Sequence, residues 1–499
     1  MIIEQEQAML KTQSEFDSML TMLKDASDQG LQLHEVESSL WERLLRIGHL
    51  AIQGHINAQG TGDFGPTLEY QDRTLRRLDG LFDRRYLSVF GEHLIQRTVY
   101  GTRLTQKLEV IPLDAKLGLP DSVFSYLLQD WDQSLCVQNS YAESGNTIRK
   151  ILGLDQNVAS LEKMSRSMAT NVDSFRAKQP SPRQADKESI VVLTADGKGV
   201  PMRRDLEKDG PAPKERLKRG EKAGKKREAC VGAVYTMTPF ERTVQDVVDE
   251  VSRKRKQSNR PNPQDKRLRA ELTEMVDGQE VKGKERIFTW FTEELTMRNP
   301  TGSSAVACVM DGDPNLWRMA KRVLGKAGIV FICILDLYHA MEYLWKAAYC
   351  FHAEGSPEAK AFVRDRLTRM LEGKIGYVIG GLKQMSTKQG LSKYKKKELA
   401  KAIQYFHNNR KYMRYNEYLK QGYPIGSGVV EGACRHLVKD RMELTGMRWR
   451  VPGAQAILKL RAVSLNGDWE QFQQDRREQN CQKLYPYRDF ILSKYKKAG

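Results

Sequence analysis

The hydrophobic pattern changes twice in the first third of the chain. Over residues 1–60 apolar side chains recur at helical spacing, as at Leu40 and Leu44, and charged residues lie between them. Over residues 61–120 apolar and polar residues alternate, and glycines stand at turn positions. These patterns predict N-terminal helices, which we assign to oligomerisation, followed by a small β-containing region.

Helical periodicity returns in residues 121–185. Gly153 lies between two short amphipathic segments, as in helix-turn-helix motifs, whose second helix enters the major groove of DNA. Lys163 and Arg166 belong to that second segment, at about 156–168. Any two helices joined near a glycine give the same pattern, so the pattern alone leaves DNA binding open.

Strand and helix patterns alternate from residue 186 to residue 344. Three predicted strands, SIVVLTAD, SAVACVMD and GIVFICILD, end at Asp196, Asp311 and Asp336. A further strand is predicted at 227–240, and helices are predicted at 284–298 and from Pro314. This alternation indicates a mixed α/β domain, in which binding sites lie at the carboxyl ends of the strands.

Residues 345–420 are helical in pattern, and a glycine-rich turn and a further helix follow. On that helix Glu431, Arg435 and Lys439 are spaced i, i+4 and i+8 and share one face. The carboxylate could bind a metal ion while the cations hold the backbone of a polyanion. Alternatively, Glu431 and Arg435 form a surface pair worth about 0.2–0.5 kcal/mol.

The charge of the chain favours a polyanionic partner. Lys and Arg number 81 against 63 Asp and Glu, which gives a formal net charge of +18. Residues 201–228 hold eleven basic and six acidic residues, and residues 253–269 hold eight and one. Both runs are interpreted as loops, either merely solvated or following a phosphate backbone. The net charge could also serve solubility alone.

The cysteines and the apolar runs predict a cytoplasmic protein. The seven cysteines include no Cys-x-x-Cys pair, so they are interpreted as reduced thiols. No signal-peptide pattern is present, and the longest apolar run, at 327–335, is too short to span a bilayer. We therefore expect no membrane partner.

Carboxylates on separate elements suit a hard divalent cation. Mg²⁺ takes oxygen ligands, and two such ions about 3.5–4 Å apart can catalyse in-line phosphoryl displacement. Zinc at His339 is a weaker hypothesis because no second ligand pair lies nearby.

Four segments resemble the DDE transposases of bacterial insertion sequences, of the Kra type that is related to the Mutator-like superfamily. They are TADGKGVPM around Asp196, VMDGDPNLW around Asp311, ILDLYHAMEYLW, and the block MRYNEYLKQGYPIGSGVVEGACRHLVKDRMELTGMRW around Glu431. The last block is the most specific, because its Gly-Ser-Gly, Glu, Arg-Met and Gly-Met-Arg-Trp elements occur in order. The resemblance extends over roughly residues 75–465.

The resemblance implies an RNase H-like mixed-sheet core interrupted by an all-α insertion. Residues 186–344 would form the first part of the core, residues 345–420 the insertion, and residues 421–499 the second part with a C-terminal tail. The helical and small β regions before the core would bind DNA.

The resemblance also implies a role for each motif residue. Asp196, Asp311 and Glu431 would be catalytic and would bind two Mg²⁺ ions, with Mn²⁺ able to substitute, while Asp336 and His339 would be accessory. Trp449 is a candidate to stack on an unpaired base, although packing in the core is the favoured interpretation. The predicted DNA contacts are Lys163, Arg166, Arg435, Lys439, Arg441, Arg448 and Trp449.

The activity implied is DNA transposition. Cleavage at the terminal inverted repeats would free 3′-hydroxyl ends, which would then attack target DNA. Partners would be double-stranded DNA and further copies of the chain in a synaptic complex, located at the bacterial nucleoid. Two alternatives remain: a non-catalytic DNA-binding regulator derived from a transposase, and a metal-dependent nuclease without joining activity.

Overall fold

The computed structural model describes residues 2–101, 109–203, 226–252, 260–276 and 278–498. Two compact units are formed, one from the chain up to Phe175 together with the chain from Trp469, and the other from Arg176–Asp468. Much of each predicted basic run, 204–225 and 253–259, lies outside the described residues. None of the helices that are described has the length and apolar character needed to cross a membrane.

The first unit begins with two long helices, which confirms the N-terminal helical prediction. A turn with Gly30 in a left-handed conformation, at φ 64°, joins α1 (Ile2–Asp28) to α2 (Leu33–Ala58). At the start of α2 the backbone N–H of Gln32 donates to Glu35 Oε2 at 3.0 Å, which satisfies a donor that the helix leaves open.

Small antiparallel sheets follow, as the alternating pattern predicted. One contains β1 (Thr67–Tyr70), β2 (Arg73–Arg77) and β5 (Tyr100–Gly101), and a hairpin contains β3 (Phe82–Ser88) and β4 (Gly91–Arg97). Gln71 and Asp72 connect β1 to β2 with φ values of 48° and 59°. Two successive positive φ angles match the twist of a two-residue hairpin turn.

Further helices of this unit include the predicted pair around Gly153. They are α3 (Pro112–Leu117), α4 (Tyr126–Cys136), α5 (Tyr141–Leu152), α6 (Val158–Ala169) and α7 (Val172–Lys178), whose residues from Arg176 belong to the second unit. Gly153 ends α5 at φ 70°, and Ser140 and Asn157 cap α5 and α6. Lys163 and Arg166 are exposed on α6, so their contact with DNA stays a prediction.

The second unit contains a mixed five-stranded sheet in the order β12-β11-β6-β7-β8. β6 pairs antiparallel with β7, and β7 with β8, whereas β11 pairs parallel with both β6 and β12. β9 and β10 form a separate hairpin. The strands are β6 (Ile190–Pro201), β7 (Lys226–Met237), β8 (Gln264–Leu272), β9 (Glu274–Val276), β10 (Gln279–Val281), β11 (Ala305–Met310) and β12 (Ile332–Leu335).

Three strand predictions need correction. β6 does not end at Asp196 but continues to Pro201, because β7 still pairs with it there. β12 is shorter than predicted, and Val330 before it is 89% exposed. β8 falls in a basic run that was predicted to be a loop. Charged residues hide the alternation of apolar and polar positions in β8. One of them, Arg269, has its guanidinium 5.2 Å from the centre of the Trp290 ring.

Helices cover the sheet and continue as a helical segment that shares its hydrophobic core. Gly232 on β7 allows close approach, because a Cβ there would lie 2.7 Å from Ile287. The helix that was predicted after Asp336 runs from Leu337 to Phe351 and crosses residue 345, the predicted start of the insertion. The helices are α8 (Val244–Val251), α9 (Gly283–Arg298), α10 (Pro314–Lys326), α11 (Leu337–Phe351), α12 (Pro357–Leu371), α13 (Ile375–Lys388), α14 (Lys393–Asn409), α15 (Tyr415–Lys420), α16 (Gly428–Ala433), α17 (Asp440–Met442) and α18 (Val451–Leu465).

The C-terminal helices belong to the first unit. Residues 421–499 were predicted as the second part of the core with a C-terminal tail, and within them α19 (Trp469–Leu484) and α20 (Arg488–Ala498) are part of the first unit. Ile491 shares a buried cluster with Leu75 and Tyr100. The order of residues along the chain does not reveal such distant apolar contacts.

Candidate active site

Asp196 and Asp311 lie at the shared end of two parallel strands. The parallel ladder between β6 and β11 finishes at the pair Ala195 and Met310, and each carboxylate is the next residue. Both side chains are partly exposed. The carboxyl ends of parallel strands are where open α/β sheets bind ligands. The structure therefore brings the first two predicted site residues together, although β6 itself continues.

The electrostatics of Asp311 reflect this proximity. Burial raises the pKa of Asp311, and the charge of Asp196 raises it further. The backbone N–H of Asp313 donates to Asp311 Oδ1 at 2.9 Å, and this hydrogen bond lowers the pKa in part. The Tyr405 hydroxyl donates to the backbone carbonyl of Asp311 at 2.7 Å. A carboxylate that lies close to a second carboxylate is a suitable environment for a cation.

Glu431 lies in α16, which begins after the glycine-rich turn as predicted. Partial burial raises the pKa of Glu431, and the charges of Asp336 and Asp196 raise it further. The charge of His339 acts in the opposite direction and lowers the pKa of both Glu431 and Asp311. His339 therefore lies within electrostatic range of both carboxylates, from the first turn of α11.

Asp336 is a positioning residue for the Glu431 segment. Its side chain is fully buried, and Oδ1 accepts a hydrogen bond from the backbone N–H of His339 at 2.8 Å. Oδ2 accepts from the backbone N–H of Ser427 at 2.5 Å and also from the Ser427 hydroxyl. These charge-assisted bonds tie the end of β12 to the residue that precedes α16.

Cys434 contacts the site and was missed in the sequence. Its Sγ donates to Asp196 Oδ2 at 3.4 Å, and burial raises the pKa of the thiol, which keeps the donor proton in place. Its position three residues after Glu431, on one helical face, was the available signal.

A second missed group surrounds Asp313. Lys284 Nζ lies 2.9 Å from Glu228 Oε1 and 2.9 Å from Asp313 Oδ2. Burial by itself would raise the pKa of Asp313, but the bond with Lys284 and the backbone N–H of Asn315 outweigh it and lower the pKa. Lys284 thus neutralises an additional carboxylate two residues after Asp311.

The predicted cationic face after Glu431 is only partly present. Cys434–Lys439 form a π-helical turn, which changes the angle between successive residues and breaks the i, i+4, i+8 alignment. Lys439 and Arg448 are exposed, as is Arg435, whose Nε lies 3.5 Å from Asp440 Oδ1.

Two residues predicted to contact DNA are buried instead. Arg441 is fully buried, and its guanidinium lies 5.0 Å from the centre of the Trp449 ring. Trp449 Nε1 donates to the Met442 carbonyl at 3.1 Å, and its backbone N–H donates to the Pro201 carbonyl at 3.0 Å. The packing interpretation of Trp449 agrees with this burial, whereas the prediction of DNA contacts by Arg441 and Trp449 needs correction.

The donor chemistry suits Mg²⁺, because Asp196, Asp311 and Glu431 offer carboxylate oxygens from three elements. Within the described ranges, however, no three His, Cys, Asp or Glu side chains form a group that could hold a metal ion. Neither the known family models nor the curated proteins include a match to this chain.

Proposed function

We propose that this chain is a DNA transposase that cleaves transposon ends and joins their 3′-hydroxyls to target DNA. The observation that supports this most is that Asp196 and Asp311 each directly follow the last residue pair of the parallel ladder, with Glu431 in electrostatic range of Asp196. The sheet also supports the proposal. Its antiparallel strands β6, β7 and β8 are followed by the parallel strands β11 and β12, and the order β12-β11-β6-β7-β8 is the one expected of an RNase H-like core.

Each side chain then has a role that its surroundings support. Asp196, Asp311 and Glu431 would hold two Mg²⁺ or Mn²⁺ ions, which when bound supply an activated nucleophile and stabilise the leaving oxygen. Asp336 fixes the start of the Glu431 helix through Ser427. His339 lies where a proton or a positive charge can act between Asp311 and Glu431.

A non-catalytic DNA-binding protein is the second candidate. It is favoured by the lack, among the described residues, of a gathered group of metal ligands. In such a protein the carboxylates at the end of the parallel ladder would have no ligand to bind, and their neutral replacements would keep full function.

The test is Mg²⁺-dependent cleavage and joining of DNA that carries the element's own ends. Glu431→Gln is compared with the wild type at matched DNA binding, and Glu342→Gln is the control. Glu342 lies close enough to affect the pKa of Glu431, and its Oε2 lies 3.7 Å from Lys346 Nζ.

We expect Glu431→Gln to lower the rates of both cleavage and joining by more than about 100-fold. Residues that only support a metal ligand cost up to about 100-fold, and a ligand itself should cost more. DNA binding and the control variant should be unaffected. Full activity in Glu431→Gln would remove Glu431 from the chemistry, whereas a wild type that binds DNA but neither cleaves nor joins it would leave the DNA-binding protein. Cleavage without strand transfer in the wild type would instead indicate a nuclease.

A further inference from the structure

A cleft with a volume of about 880 Å³ begins at Asp311. Its walls come from the loop after β11 and from α10, α11 and α14. Pockets of roughly 300–1,000 Å³ hold small organic ligands, so this cleft has room for about one or two nucleotides.

Cations from separate elements line the part of the cleft formed by α10 and the turn after α14. Lys321 and Lys411 approach the Tyr412 ring, with Nζ atoms 5.4 and 5.1 Å from its centre. Neither lysine has a carboxylate partner in the portion of the chain that the structure describes, whereas Lys401 in the same cleft pairs with Glu398 at 2.7 Å. Two ammonium groups that converge without an acidic neighbour are suited to a phosphate.

The negative charge of the cleft lies on the Asp311 side. Asp313 also lines the cleft, but Lys284 neutralises it at 2.9 Å. The charge pattern therefore runs from the candidate catalytic carboxylate Asp311 to the pair Lys321 and Lys411. A phosphodiester chain has the complementary pattern if one phosphate reacts at Asp311 and its neighbours lie at the lysines.

An aromatic wall stands beside Asp311. The rings of Tyr343 and Tyr405 stack with centres 3.7 Å apart, and the Tyr405 hydroxyl holds the Asp311 carbonyl. Both rings are partly exposed and line the cleft. Stacking covers the faces that the two rings turn toward each other, and Lys346 Nζ lies 4.3 Å from the centre of the Tyr343 ring, so the surface left for a base is the part of the rings that lines the cleft. Tyrosine rings beside a cationic groove are typical of sites where unpaired bases stack.

We propose that this cleft binds an unpaired DNA strand next to the phosphate that is cleaved, with Lys321 and Lys411 on the strand's backbone and the Tyr343–Tyr405 pair against a base. The inference rests on the proposed function, since that function makes DNA the substrate at Asp311. It adds that the strand is unpaired at this point and names the residues that hold it.

The experiment measures binding without catalysis. Anisotropy of a fluorescent ten-nucleotide oligo-dT probe and of a blunt duplex is recorded in EDTA at several salt concentrations. Lys321→Ala/Lys411→Ala is compared with the wild type and with Lys360→Ala/Lys383→Ala, which changes two exposed lysines outside the cleft. Glu431→Gln is included in the same series.

For single strands log K falls with log salt by about 0.7 for each phosphate contact. We therefore expect the cleft variant to flatten the oligo-dT slope by about 1.4, while the duplex slope and both slopes of the control stay unchanged. Lys321→Arg/Lys411→Arg should restore the wild-type slope if charge is responsible.

An oligo-dT slope in the cleft variant equal to that of the control would overturn the proposal. Equal flattening with the duplex would also overturn it, because the cleft would then bind paired DNA. Failure of the proposed function is distinguishable. The separate Mg²⁺-dependent cleavage assay would then find activity retained in Glu431→Gln, while the salt slopes of binding remained as expected. Conversely, loss of cleavage in Glu431→Gln with no change of slope in the cleft variant would reject the cleft alone.

Discussion

The ends of β11 and β12 offer two aspartates in the same topological position with different surroundings. Asp336 is fully buried, and each of its oxygens accepts a hydrogen bond, Oδ1 from His339 and Oδ2 from Ser427. Asp311 is partly exposed, accepts one backbone N–H from Asp313, and lies near the charge of Asp196. The end of a parallel strand therefore does not decide a carboxylate's role. The supply of protein donors does, because a satisfied carboxylate supports structure and an unsatisfied one remains available to a ligand.

The largest expected difference is in activity. Asp311→Asn should lower DNA cleavage by more than about 100-fold, because it removes a proposed ligand and not a supporting group. The variant should still fold and bind DNA. Single-turnover cleavage at saturating enzyme measures the effect, and Asp365→Asn, an exposed aspartate on α12, is the control. Cleavage within a few-fold of the wild type would place Asp311 outside the chemistry.

Asp336→Asn should show the opposite balance, with a loss of stability. The amide NH₂ group of asparagine is a donor, so it would face the N–H donor of Ser427 or of His339 and leave that donor without an acceptor. We therefore expect a loss of at least about 2 kcal/mol in the free energy of unfolding. Cleavage should fall less than in Asp311→Asn, by about 10- to 100-fold, through misplacement of Glu431. Urea unfolding of the two variants side by side tests the contrast, and equal stability of Asp336→Asn and the wild type would contradict it.

The pH dependence of stability sharpens the comparison further. The folded-state pKa of Asp311 is raised by burial and by Asp196, so its ionised form costs folding free energy. The contribution of its protonated form is complete below the ordinary pKa of 3.8 and is lost as pH rises through the raised value. Asp311→Asn should therefore become more stable relative to the wild type as pH rises from about 4 toward neutrality. Thermal unfolding across this range measures the difference, and a constant difference would show that folding does not raise the pKa of Asp311.

The smallest expected effect concerns Cys434. Cys434→Val removes the donor to Asp196 Oδ2 while keeping an apolar side chain, and Cys434→Ser keeps a donor. We expect the valine variant to require about 10-fold more Mg²⁺ for half-maximal cleavage, and the serine variant to remain near the wild type. A magnesium titration of cleavage separates this effect from a general loss of folding, which would lower activity at every magnesium concentration. Identical titrations for valine and wild type would show that the thiol does not position Asp196.

Much of the local structure follows from patterns within a few residues. The two helices around Gly153, the strand before Asp311 and the helix that carries Glu431 were predictable, because periodicity, caps and glycine turns are local signals. β8 was not predictable, since its charged residues mask its alternation. The end of β6 was misplaced because an antiparallel neighbour, and not the residues after Asp196, extends it.

By itself, the sequence determined that this is a basic, mixed α/β chain with carboxylates at strand ends and a helical segment before Glu431. Only the tertiary structure decided which of those carboxylates is satisfied, and that Arg441 and Trp449 are buried. It also decided that Cys434, Lys284 and Ser427 reach the strand ends. The physical reason is that secondary structure depends on near neighbours, whereas burial and hydrogen-bond satisfaction depend on residues that may be hundreds of positions apart.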